Sequence, residues 1–268
     1  MESAYHPRVR ALFFIVVGLL ATTLCAQTPA AVLAPTGQLR GAFLALNPVQ
    51  ARIDPVTGAA TGPVPDMIRE IARRLGVPAT MVPGTNVPAV IKAIEDGAAD
   101  IGFLAVDPGR AREVDFGARF LVMPSSYLVA LNSPIRRNAD VDRPGVVVAA
   151  VGATTQHLFV ERELRNVQVR VLPVMPAQAE VERLLTSGEV TAFAVNRQRA
   201  LEAQGAAPSR LRALPESFID VDQAVVVAKG RRDRLDVVNP LVTELVRSGF
   251  VKASAERAGV LGVEFPAP

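Results

Sequence analysis

The sequence holds one cysteine, two histidines and no tryptophan in 268 residues. A single thiol cannot close a disulfide within the chain. One Cys and two His cannot assemble a Cys₄ or Cys₂His₂ zinc site, and no metal or other cofactor is expected. Aromatics make up 5% of the chain, 11 Phe and 2 Tyr, and form no stacking cluster. Basic residues exceed acidic ones by only 29 to 26. Neither feature suits a nucleic-acid partner. There is no Gly-x-x-x-x-Gly-Lys phosphate loop and no Gly-x-Ser-x-Gly nucleophile elbow. No apolar run reaches the roughly 18 residues that mark a membrane-spanning helix. What is present is a globular composition, with 50% apolar and 21% charged residues. The length suits about two compact units.

The N-terminus has three zones. Arg8 and Arg10 lie in a polar, basic stretch, residues 11–21 (ALFFIVVGLLA) are apolar, and small or polar residues follow. That is the layout of a secretory signal peptide over residues 1–26, cleaved after Ala26. A buried N-terminal helix or an uncleaved anchor is the alternative. Lipidation at Cys25 would want a small residue before it, and Leu24 is bulky. Cleavage leaves a soluble, exported chain, which in a two-membrane cell means the periplasm.

Beyond residue 38, short apolar runs alternate with amphipathic ones. Strands are expected over 39–46, 80–82 and 101–106, and helices over 65–75 and 88–96. Pro65 suits a first helical turn and Gly76 a stop. The pattern returns with strands over 146–151, 169–171 and 190–195, a helix starting near 155 and another over 177–186. Residues 90–106 (VIKAIEDGAADIGFLAV) and 181–195 (VERLLTSGEVTAFAV) resemble each other, with Gly97 matching Gly188. Such alternation implies βαβ units and an α/β fold. Two further apolar runs, 126–131 and 224–228, read as crossovers between two lobes, and helices follow over 236–248 and 251–258. Lobe one would be discontinuous, 38–129 plus 225–268, and lobe two would be 130–224. The expected architecture is two mainly parallel sheets joined by a two-strand hinge. A ligand site would lie in the cleft between them.

The chain resembles the bacterial solute-binding proteins of family 3, the polar amino-acid type that serves ABC transporters. The resemblance covers nearly all of residues 38–260. It is carried by Gly62 and Asp66 at the first helix, by residues 72–76 (ARRLG), by 94–100 (IEDGAAD) and by 107–116 (DPGRAREVDF). Thr154, Thr155 and Gln156 after the first strand of lobe two complete it. It implies the two-lobed periplasmic-binding-protein fold and capture of a small carboxylate-bearing solute by hinge closure. It also implies a permease partner in the inner membrane, and it describes a monomeric binder rather than an enzyme. Relatives that dehydrate cyclic carboxylic acids, and ligand-presenting partners of sensors, are the alternatives.

The resemblance also implies site residues. Arg110 would grip the ligand's carboxylate, a task suited to a planar fork that keeps its charge. Thr155, with Thr154 beside it, would add the hydroxyl and free N–H groups of a helix start. Asn196 stands where amino-acid binders of the family place an Asp for the ligand's ammonium. Arg197 follows it and adds positive charge. Phe103 and Ala105 replace hydroxyl residues before the carboxylate Arg, and Asn47 aligns with a covering aromatic. These departures leave room for an organic acid. His157, Glu161 and Glu163 read as a solvated helix face, Tyr127 as hinge packing, and residues 231–234 (RRDR) as a solvated loop.

Overall fold

The computed structural model describes residues 28–266, together with Met1. The expected signal peptide and Cys25 lie outside these residues.

The elements follow in chain order. Helix α1 is Pro29–Leu33, strand β1 is Leu39–Leu44, and Arg52–Ile53 and Ala60–Thr61 are the short pair β2 and β3. Then come α2 (Pro63–Leu75), β4 (Ala79–Gly84), α3 (Val87–Glu95) and β5 (Ile101–Ala105). The long β6 is Val114–Ala130. After it come β7 (Val147–Val151), α4 (Thr155–Glu163), β8 (Gln168–Leu172), α5 (Gln178–Thr186) and β9 (Ala192–Asn196). The chain ends with α6 (Arg197–Ala206), β10 (Leu211–Ala213), β11 (Ile219–Ala228), α7 (Arg232–Arg247) and α8 (Phe250–Arg257).

Local chemistry explains the boundaries. Helix α2 starts two residues before the expected Pro65, because Pro63 already fits the first turn, where no N–H is needed. Its buried face is Val64, Met67, Ile68, Ile71 and Ala72. Gly76, at φ 71°, ends it in the left-handed region. Asn86 caps α3 by accepting a hydrogen bond from the Ala89 N–H at 2.9 Å. The two segments that resemble each other are α3–β5 and α5–β9, and Gly97 and Gly188 turn the chain alike, at φ 68° and 79°.

On α2, Glu70 accepts from Arg73 Nε at 2.8 Å and Arg74 Nε at 2.9 Å. These bonds hold its carboxyl at about 2, below the usual 4.5. A lowered value stabilises the fold above the ordinary 4.5 and loses that effect as pH falls toward 2. The arginines are partly solvated, so Glu70→Gln should cost about 1 kcal/mol at pH 7. Melting curves at pH 7 and pH 2 test this: the two proteins should converge at the acid end, and a gap of constant size contradicts it.

The sheet corrects the expected pair of mainly parallel sheets. Nine strands form one connected mixed sheet, in the order β4-β1-β5-β11-β6-β9-β7-β8, with β10 also on β6. Strands β4, β1 and β5 are parallel at one end, and β9, β7 and β8 at the other. Between them β11 and β6 run antiparallel to each other and to their outer neighbours. The 126–131 run is the far end of β6, and 224–228 belongs to β11 alongside β5. The cores divide the same way. Two clusters draw on residues 33–123 and 225–260, centred on Phe43, Ile68 and Phe103 or on Val90 and Ile94. Two others draw on residues 127–214, around Phe193 and Leu184 or Tyr127 and Val148.

Candidate functional site

A cleft opens at the carboxyl ends of β1, β5, β7 and β9, the usual place for a ligand in a sheet with parallel strands. It holds about 860 Å³ of non-protein space, its open mouth included.

Arg110 sits on a 3₁₀ turn, Arg110–Arg112, just beyond β5. Asp107 sets that turn: its Oδ1 accepts from the N–H of Gly109 at 2.8 Å and of Arg110 at 3.1 Å. The Arg110 side chain is buried at the floor of the cleft. Its Nη1 donates to the Ala105 carbonyl at 2.9 Å and reaches Thr155 Oγ1 at 3.4 Å. Its Nη2 donates to the Ala153 carbonyl at 2.7 Å. Burial pushes the guanidinium pKa down, while Asp107 and Glu113 nearby push it up. Among the described residues no carboxylate forms an ion pair with it.

The opposite wall is the loop into α4. Ala153 stands at φ 59°, the one non-glycine with positive φ among the described residues. Such a conformation costs about 1–2 kcal/mol in an L-residue. It aims the Ala153 carbonyl at Arg110. The Ala153 N–H donates to His157 Nδ1 at 3.3 Å. The His157 side chain is 12% exposed, with Nε2 3.1 Å from Glu161 Oε1, and it braces the loop instead of lying on a solvated face. Thr154 caps α4, accepting from the His157 N–H at 3.2 Å and donating to the Val151 carbonyl at 2.7 Å. Thr155 is the first residue of α4 and is buried against the Arg110 fork.

Of the residues expected at the site, Arg110, Thr154, Thr155, Asn196 and Ala105 line the cleft together. Two expected residues do not. Phe103 is fully buried in the core and meets Phe120 edge to face at 5.5 Å. Arg197 turns away: its Nε donates to Ser126 Oγ at 3.2 Å and its Nη2 to the Pro215 carbonyl at 2.7 Å. Two residues further along α6, Arg199 points into the cleft instead, because helical neighbours two apart lie on opposite faces. Its Nη2 donates to the Leu46 carbonyl across the cleft. Asn196 caps α6, with Oδ1 accepting from the Arg199 N–H at 2.8 Å, and Nδ2 donates to Asn47 Oδ1 at 3.3 Å.

Arg199 and Gln223 were not expected. No helix is anticipated over 197–206, whose apolar residues are mostly alanines. A polar Gln inside an apolar strand is the signal for Gln223. It is buried on β11 and faces the cleft, and its Nε2 has no partner among the described residues.

A connected α/β sheet with a donor-lined cleft at its strand ends is suited to holding a small solute. The family model for bacterial extracellular solute-binding proteins, family 3, matches residues 45–258, and the chain belongs to that family. It is 24% identical over 203 residues to the L-cystine-binding protein TcyJ of Escherichia coli K12, covering 75% of this chain and 74% of that one. Among solved structures, an ancestral amino acid-binding protein, a precursor of cyclohexadienyl dehydratase, superposes with a TM-score of 0.71 at 23% identity, over 87% of this chain and 99% of the other. A solute receptor for L-cysteine of Neisseria gonorrhoeae gives 0.73 at 20% identity, over 87% and 93%. At such identities the superpositions carry the fold alone.

Proposed function

We propose that this protein captures a small carboxylate-bearing solute, an amino acid or organic acid, and delivers it to an ABC transporter permease in the inner membrane. It acts in the periplasm as a monomer, after export by the N-terminal 26 residues. Its two lobes are 38–129 with 225–268, and 130–224, and the ligand is held by their closure. The division of the hydrophobic cores supports these lobes. The observation that carries the function is the meeting of Arg110 from one lobe with Thr155 and the Ala153 carbonyl from the other. A ligand carboxylate at that point would be held by a buried fork, a hydroxyl and the start of α4. The relatives named for L-cystine and L-cysteine support the amino-acid end of this range.

An enzyme like cyclohexadienyl dehydratase is the competing reading. Dehydration needs a group that moves a proton at the ligand. Among the described residues the cleft lining holds no Asp, Glu or His, which favours binding without chemistry.

Thermal melting of refolded protein tests the proposal. The probes are propionate, glutarate, L-glutamate, L-arginine and L-cystine. A probe at 100 times its Kd should stabilise by about 2.7 kcal/mol, a rise of several degrees. Proton NMR of the same mixtures should show each probe intact. No stabilisation by any probe counts against capture, and consumption of a probe points to the enzyme.

A further inference from the structure

The charge of the cleft lining is all of one sign. Among the described residues its lining carries two guanidinium groups, Arg110 and Arg199, and no carboxylate. The asparagine oxygens that might accept from an ammonium are already committed. Asn86 Oδ1 accepts from the Ala89 N–H at 2.9 Å, Asn196 Oδ1 from the Arg199 N–H at 2.8 Å, and Asn47 Oδ1 from the Val49 N–H at 3.2 Å. Helix caps and a turn thus fix each asparagine with its oxygen turned to the backbone, which leaves the Gln156 and Gln223 Oε1 atoms as neutral side-chain acceptors. The Gln223 Nε2 adds a buried donor with no partner among the described residues. An ammonium here would be desolvated beside two cations with only neutral oxygens to accept from it and no counter-charge, which is costly.

Arg199 is the second cation. A guanidinium has five N–H donors, and among the described residues the Leu46 carbonyl is the one acceptor it reaches. Burial pushes its pKa down, Glu202 pushes it up and Arg52 down again. Glu202 is shared, because Arg52 Nη2 also binds that carboxylate at 2.5 Å, so one negative charge faces two guanidiniums. The corner around Arg199 therefore keeps an excess positive charge.

We infer that the ligand carries two separate anionic groups and no ammonium, a dicarboxylate held at one end by Arg110 with Thr155 and at the other by Arg199. This rests on the capture function proposed above and narrows its ligand class. A fixed fork at each end selects for spacing as well as charge.

Isothermal titration of wild type and Arg199→Gln with glutarate, propionate and L-glutamate tests it. In wild type, glutarate should bind at least about 10-fold tighter than either, the yield of one extra charge-assisted hydrogen-bonded contact. Arg199→Gln should reduce glutarate's advantage over propionate to within about threefold, a margin too small for a charged contact. Malonate through adipate, titrated in series, should show one optimal length. L-Glutamate binding tighter than glutarate overturns the inference, as does an advantage that survives Arg199→Gln. If the acids and amino acids bind with no gain from a second carboxylate, the inference falls and capture stands. If no carboxylate binds at all, capture falls and takes the inference with it.

Discussion

Asp100→Ala should destabilise the protein by about 3–5 kcal/mol, the loss found when one partner of a buried ion pair is removed. Asp100 lies just before β5 and is fully buried. Its Oδ2 accepts from the Arg40 N–H and Nε, both at 3.0 Å, and its Oδ1 from Arg40 Nη2 at 2.8 Å. Arg234 of α7 approaches the same Oδ1 at 3.6 Å and donates to the Asp100 carbonyl at 3.1 Å. One carboxylate thus ties β1, β5 and α7 together. The bond to Asp100 raises the Arg40 pKa, whereas burial lowers that of Arg234. Removing Asp100 would leave Arg40 and the buried Arg234 without the carboxylate they share. The fall in melting temperature should be on the order of 10 °C. Asp100→Asn should lose less, since one amide oxygen still accepts. Urea unfolding of the three proteins decides it, and a loss below about 1 kcal/mol for the alanine variant would mean that the cations find solvent.

Arg110→Ala should weaken glutarate binding by at least about 30-fold, the lower end of what truncating a buried, hydrogen-bonded charge costs. The side chain is 5% exposed, so water cannot replace what the fork supplies. Arg110→Lys should recover only part of the affinity. An ammonium keeps the charge but cannot present two parallel donors. Isothermal titration gives the ratios, and circular dichroism establishes that each variant is folded. Equal affinity in wild type and alanine variant would remove Arg110 from the site.

Helices α2 and α3 and the outer strands are legible because their periodicity is strong. Residues 63–75 and 87–95 show apolar side chains at helical spacing, bounded by Pro and Gly, and depart from expectation by a residue or two. The antiparallel centre was harder to read. Strand β6 runs for 17 residues, yet Asp115, Gly117 and Arg119 break up its apolar pattern, so only its last part looked like a strand. The site shows the same contrast. Arg110 and Thr155 stand at turns with recognisable spacing. Phe103 was misplaced because spacing along a strand cannot say whether its end opens on a cleft or a core. Arg197 and Arg199 were told apart only by α6, whose alanine-rich face gives little periodic signal.

Strands β6 and β11 belong to both halves of the sheet. Each pairs with the other between the two parallel sets, and β6 also pairs with β9 and β10. Neither half should fold as an independent fragment, because cutting at either passage strips a backbone ladder from both. Heat or denaturant should therefore take the molecule apart in one cooperative step. Amide protons along β6 and β11 should exchange only through that global opening, later than those of the outer strands.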